Sequence, residues 1–147
     1  MAQINMKYSY MANAFIKTLG LTLMLSGLAQ AGEKPDAGWE KTASTPDFIA
    51  YLNTQSITQE GRHIKYWVRK DFLTPQVSDE GPDFVRDQSL YAADCSARSV
   101  ALASTIRYSK SGSVIKRVSK LPNELKFEIP QSESMEAAHI KRVCEKR

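Results

Sequence analysis

Cys95, Cys144, His63 and His139 are the side chains best suited to covalent, metal or acid–base chemistry in this sequence. A structural zinc site needs four such ligands at short spacings. No CxxC occurs, and only His139, five residues before Cys144, stands near a cysteine. A serine or cysteine nucleophile needs a base that is itself oriented by a third group. No GxSxG is present and neither histidine stands in such a frame, so both read as surface or edge side chains. Asp79, Glu80, Asp83 and Asp87 lie in or beside a stretch with two prolines, without the ligand spacing of an EF-hand. A glycosidase pair would need two acids on rigid elements, and no P-loop or dinucleotide fingerprint occurs. The expectation is a protein that is no enzyme and needs neither cofactor nor metal.

Surface chemistry remains. Lys65, Trp67 and Arg69 alternate along one strand pattern and would share a face that mixes cations with an aromatic ring. Such a face can hold a protein partner or stack bases, and it can equally be a solvated sheet face. Arg98, Arg107, Lys110, Lys116 and Arg117 form a second basic group that reads as solvation.

The chain has 147 residues, enough for one domain and a leader. Its 42% hydrophobic and 24% charged residues exclude collagen, a long coiled coil and wholesale disorder. A net charge of +4 is too small for a protein built around phosphate neutralisation, so no nucleic-acid partner is expected.

Residues 1–31 read as a signal peptide: Lys7 and Lys17 are their only charges, and residues 18–28 form an apolar run. Ala29-Gln30-Ala31 gives the small-x-small pattern that places cleavage after Ala31. The run is short of the about 20 apolar residues that cross a bilayer. No cysteine stands at the cleavage site, so no lipid anchor is expected, and the location is periplasmic or secreted. Cleavage removes two cations and no acid, which lowers the net charge further. In an oxidising compartment Cys95 and Cys144 are the one available pair, and the expectation is a disulfide; a reactive or metal-bound thiol is the alternative.

Residues 32–38 read as a flexible leader, rich in Gly and Pro with no large apolar side chain, and residues 39–147 as a single folded domain. Short strands are expected over 39–43 and 48–52, with a glycine-bearing turn over 58–62. Over 63–73, Ile64, Tyr66, Val68 and Phe72 alternate with His63, Lys65, Trp67, Arg69 and Asp71: the period of two of an antiparallel strand wet on one side. Residues 74–83 read as a loop and 89–94 as the next strand. Residues 98–108 alternate again, and the small side chains Ser99, Ala101, Ala103 and Thr105 would let a helix approach closely. A hairpin turn at 109–112 leads to a strand at 114–118. After Pro130, Ser132 is the expected N-cap of a final helix with Ala137, Ile140, Val143 and Cys144 on one stripe. The fold class is α+β: an antiparallel sheet with a C-terminal helix on one face.

The order of these parts resembles the bacterial surface-adhesin protein E family. The resemblance rests on Tyr51-Leu52-Asn53-Thr54-Gln55-Ser56-Ile57, a strand bearing Trp67, Asp94-Cys95 opening a strand that ends in Tyr108, Ile129-Pro130-x-Ser132, and a helix ending in Val143-Cys144. It implies about six antiparallel strands with the helix tied across the concave face by a Cys95–Cys144 bridge. It also implies binding of host extracellular-matrix proteins and plasminogen. Adhesive members reach the surface through a lipidated cysteine, which is absent here, and the stretch before Cys95 is acidic. The functional expectation is an exported, non-enzymatic binding module with a protein partner, an extracellular-matrix or envelope protein, and with homodimerisation through sheet edges or faces open to it. The alternative is an enzyme accessory such as a hydrolase inhibitor.

Overall fold

The computed structural model describes residues 37–78 and 81–145. The expected signal peptide, its expected cleavage after Ala31 and the expected leader up to residue 36 lie outside the described residues. Six strands run in sequence order across one antiparallel sheet: β1 (Trp39–Ser44), β2 (Phe48–Glu60), β3 (His63–Ser78), β4 (Gly81–Asp94), β5 (Ser99–Tyr108) and β6 (Val114–Ser119). A 3-10 turn at Pro122–Glu124 and one helix, α1 (Met135–Cys144), follow. Among the described residues no helix is long and apolar enough to cross a membrane.

The period-two pattern of β3 sorts the sheet into two faces. Ile64, Tyr66 and Val68 point to the helix side and are buried there. Cross-strand pairing aligns them with Leu52 on β2 and Ala93 on β4, and Ala93 with Val100 on β5. Ile140 and Val143 of α1 close this cluster, with Met135, Tyr91, Cys95 and Cys144 packed against it. The Cys95–Cys144 disulfide, spanning 49 residues with its Cα atoms 5.7 Å apart, joins the end of the helix to the turn after β4. The expected pairing is therefore present, and the free-thiol alternative falls.

His139 corrects the expectation of a surface histidine: it is 2% exposed, facing the sheet from α1. Its Nε2 lies 2.9 Å from the Thr42 hydroxyl of β1, and its ring stands edge-on to Tyr66 at 6.2 Å. Burial lowers its pKa to about 4, against an upward pull from Glu136 and a further downward push from Lys70. Burial likewise pushes the Tyr91 hydroxyl up to about 12. An ion pair between Arg142 and Glu40 fastens the outer side of the helix to β1.

Several elements differ from the sequence-based reading. β2 continues to Glu60 because Asn53 and Ser56 carry the chain through a register shift. The Asn53 Oδ1 accepts the N–H groups of Gln55 and Ser56, and the Ser56 hydroxyl accepts the N–H of Trp67. Of the loop expected over 74–83, residues 74–78 instead end β3 and 81–83 begin β4, with Ser78 paired to Gly81. Pro75 falls where the ladder skips from Asp71 to Gln76, and Pro82 falls between the Gly81 and Phe84 pairings, so the missing N–H groups are tolerated. Ser134, not Ser132, caps the helix: its hydroxyl accepts the Ala137 N–H at 3.1 Å, after a turn in which Glu133 takes φ +66°. The helix also stands on the Val100 side of β5, not over its small residues. Phe127 reaches that other side instead: it stacks on His63 at 4.6 Å although β4 and β5 lie between them, and Ala92 and Ala101 on those strands are fully covered.

Two stability predictions follow from the helix seat. Cys144→Ser should lower the unfolding free energy by about 4 kcal/mol, the chain-entropy value of such a loop, in urea titrations without reductant. An unchanged midpoint would show that the tether carries no stability. For His139, the unfolded imidazole protonates near pH 6.5 and the folded one only near 4. Stability is thus full above pH 6.5 and declines as pH falls to about 4, by about 3 kcal/mol in all. His139→Gln should flatten that decline in urea titrations across the same range; a slope that survives the substitution assigns it elsewhere.

Candidate functional site

With the helix seated on one side, the opposite face of the sheet carries His63, Lys65, Trp67, Arg69 and Asp71 from β3. Pairing sets Trp67 between Asn53 and Leu90, and Arg69 between Tyr51 and Gln88. Trp39 of β1 pairs with Asn53 and so joins the same face. The chain enters β1 through Gly38, whose carbonyl accepts both the N–H and the hydroxyl of Thr54. Gly38 takes φ +91°, and a Cβ there would lie 2.8 Å from the Gln55 Cγ, so glycine alone fits this entry.

The three residues singled out from the sequence share this face but differ in access. Lys65 is partly exposed and ion-paired with Glu60. Trp67 is half-buried. Arg69 corrects the expectation of a presented cation: it is 7% exposed. Its guanidinium lies 4.4 Å from the Tyr51 ring centre and 5.0 Å from that of Trp39, a planar cation layered with two aromatic rings. Asp71 balances the charge, its Oδ2 3.3 Å from Arg69 Nε, while its Oδ1 accepts from Arg86 Nε at 2.5 Å. Trp39, Tyr51, Asp71 and Arg86 thus belong to the site and were not singled out from the sequence. The aromatic residues were visible in it, but only the strand register brings them onto Arg69.

The helix side holds a groove of about 720 Å³ beside the disulfide, lined in part by Cys95, Arg98, Ile129, Ile140 and Lys141. A second groove of about 630 Å³ lies across Ile129 and Pro130 from it, between β5 and the helix start. Neither lining includes a histidine, and both cysteines are consumed in the disulfide. Asp87, on the same side of the sheet, has its pKa raised by burial, against the pull of Lys70 and Arg107. Among the described residues no group of three or more His, Cys, Asp or Glu stands together as a metal set. The arrangement offers a rigid surface of stacked rings and paired charges, suited to binding.

The sequence profile of the family described as surface-adhesin protein E matches residues 39–145. The fold is similar to two structures of Haemophilus influenzae protein E. One, crystal form II, aligns with a TM-score of 0.57 at 9% identity, covering 75% of this chain and 89% of that one. The other aligns with a TM-score of 0.55, also at 9% identity, covering 75% and 86%. Identity this low carries the fold alone. No curated protein sequence matches.

Arg69→Lys keeps the charge and loses the planar stacking surface. It should lower the unfolding free energy by about 1–2 kcal/mol in urea titrations, whereas Lys110→Ala on the exposed turn should stay within about 0.5 kcal/mol. Equal effects would show that the Trp39–Arg69–Tyr51 stack holds nothing together.

Proposed function

The chain belongs to the surface-adhesin protein E family, and on that premise we propose that it is an exported, non-catalytic binding module whose helix-free sheet face meets a protein partner, an extracellular-matrix or envelope protein. Membership implies an envelope or extracellular location and a role outside catalysis. The charge, apolar run and small-x-small end of residues 1–31 support export through a cleaved signal peptide into the periplasm or beyond.

One observation carries the reading: the helix and its disulfide occupy one face, and the face left open is built around Trp67 with the Trp39–Arg69–Tyr51 stack beside it. Tryptophan, tyrosine and arginine dominate the energetic centres of protein interfaces because they bring large area at low entropic cost. Here their orientations are set before any partner arrives, which reduces the ordering cost of association. A net charge of +4 argues against a nucleic-acid partner.

The test is surface capture of the purified protein on immobilised extracellular-matrix and envelope proteins. Trp67→Ala and Lys65→Glu should each weaken capture about ten-fold or more, with the circular dichroism spectrum unchanged. Capture that survives both substitutions would remove this face from the function. Sedimentation at rising concentration separates partner binding from self-association: a dimer that Trp67→Ala abolishes would assign the face to a second copy.

A further inference from the structure

The two edges of the sheet are built differently. β1 is interrupted by a register shift between Lys41 and Ala43, and Glu40 beside it is engaged by Arg142. Bulges of this kind blunt an edge against pairing. Among the described residues β6 pairs with β5 alone and ends the sheet on the other side. Its one irregularity comes early, between the Tyr108–Val114 and Arg107–Lys116 pairings. From there the pairing runs regularly, Lys116 with Arg107, Arg117 with Ile106, Val118 with Thr105 and Ser119 with Ser104, and the Lys120 N–H extends it onto the Ala103 carbonyl. Among the described residues no strand neighbours the outer side of Lys116–Lys120, where alternate residues, Arg117 and Ser119, turn their backbone donors and acceptors outward.

The side chains of this edge are of one sign. No Asp or Glu occurs between Ser109 and Asn123, while Lys110, Lys116, Arg117 and Lys120 do. Val118 is 48% exposed and Leu121 beyond it 62%. On the helix side of the β5–β6 pair a small groove of about 220 Å³ is lined by Thr105, Arg107, Lys116 and Val118, with the Arg107 guanidinium held 4.5 Å from the Phe84 ring.

We infer that the outer edge of β6 is a docking edge for an extended acidic peptide strand of a partner protein, which joins the sheet as a seventh strand. Strand addition takes its affinity from main-chain hydrogen bonds and its specificity from pockets for alternate side chains. Edge cations repel basic strands and lose hydration when a neutral strand covers them, so they make the edge selective. A second copy is disfavoured in the register that sets Arg117 on the two-fold axis, where it would face its own copy, and like charges directly opposite are destabilising. An acidic strand meets the opposite condition on both faces, since Arg117 shares the side of Ile106, and Lys116 that of Arg107.

Fluorescence anisotropy with a labelled nonapeptide of alternating glutamate and valine tests this on the purified protein. It should bind about ten-fold or more tightly than the peptide with lysine in place of glutamate, and weaken with added salt. N-methylation of alternate peptide amides leaves charge intact and removes the donors of one edge; it should abolish binding. The double variant R117E/K120E should reduce affinity about ten-fold, and Trp67→Ala should leave it unchanged, so this edge and the sheet face are judged separately. Binding that survives N-methylation, equal binding of the lysine peptide, displacement by oligo-dT, or a concentration-dependent dimer that excludes the peptide would each overturn the proposal.

Discussion

A covalent link between residues 49 apart in sequence holds the terminal helix on the apolar face of this sheet. The helix it holds has ten residues, of which His139, Ile140 and Val143 are buried. Isolated helices of that length are marginal in water, and two aliphatic side chains contribute only about 2–3 kcal/mol each by burial. The disulfide adds a stabilisation of similar size by restricting the unfolded chain. Held at its last residue, the helix lays its stripe on Leu52, Ile64, Tyr66, Val68 and Val100, and the sheet acquires an inside and an outside.

The two faces then solve different problems. Beneath the helix the inner face is apolar and holds a polar group in satisfied form, as with His139 against the Thr42 hydroxyl. Among the described residues the outer face has no second layer, and its side chains cover one another: Phe127, from the segment after β6, stacks on His63 above Ala92 and Ala101, and Arg69 lies with Trp39 and Tyr51. Planar groups layered in this way make a surface that is rigid and partly apolar without a helix to support it. That is the physical content of the proposed binding role, and it leaves both sheet edges to be managed separately, β1 by a bulge and β6 by charge.

Much of this was legible in the sequence where a period or a count carried it. The alternation over Ile64, Tyr66 and Val68 marked the buried side of β3, and the spacing of Ala137, Ile140, Val143 and Cys144 marked the helix stripe. The even cysteine count in a chain read as exported pointed to the bridge, and the order of parts pointed to the family. What could not be read depends on register. Nothing local to Arg69 says that Tyr51 and Trp39 lie against it, and nothing near His139 points to Thr42, 97 residues away. Prolines, glycine and acids over 74–83 imitate a loop because the irregular pairing of Gln76 and Ser78 tolerates them. The polar second half of β2 hides a strand whose ladder is carried by the Asn53 and Ser56 side chains.

Nuclear Overhauser contacts in the oxidised and reduced protein probe the dependence on the tether most directly. If the disulfide seats the helix, the oxidised form shows the Ile140 and Val143 methyls against the Tyr66 ring. Reduction then erases those contacts while the cross-strand contact between Tyr66 and Tyr91 persists. Helix-to-sheet contacts of undiminished intensity after full reduction would contradict it, and would move the origin of the two-faced sheet from the Cys95–Cys144 bond to packing alone.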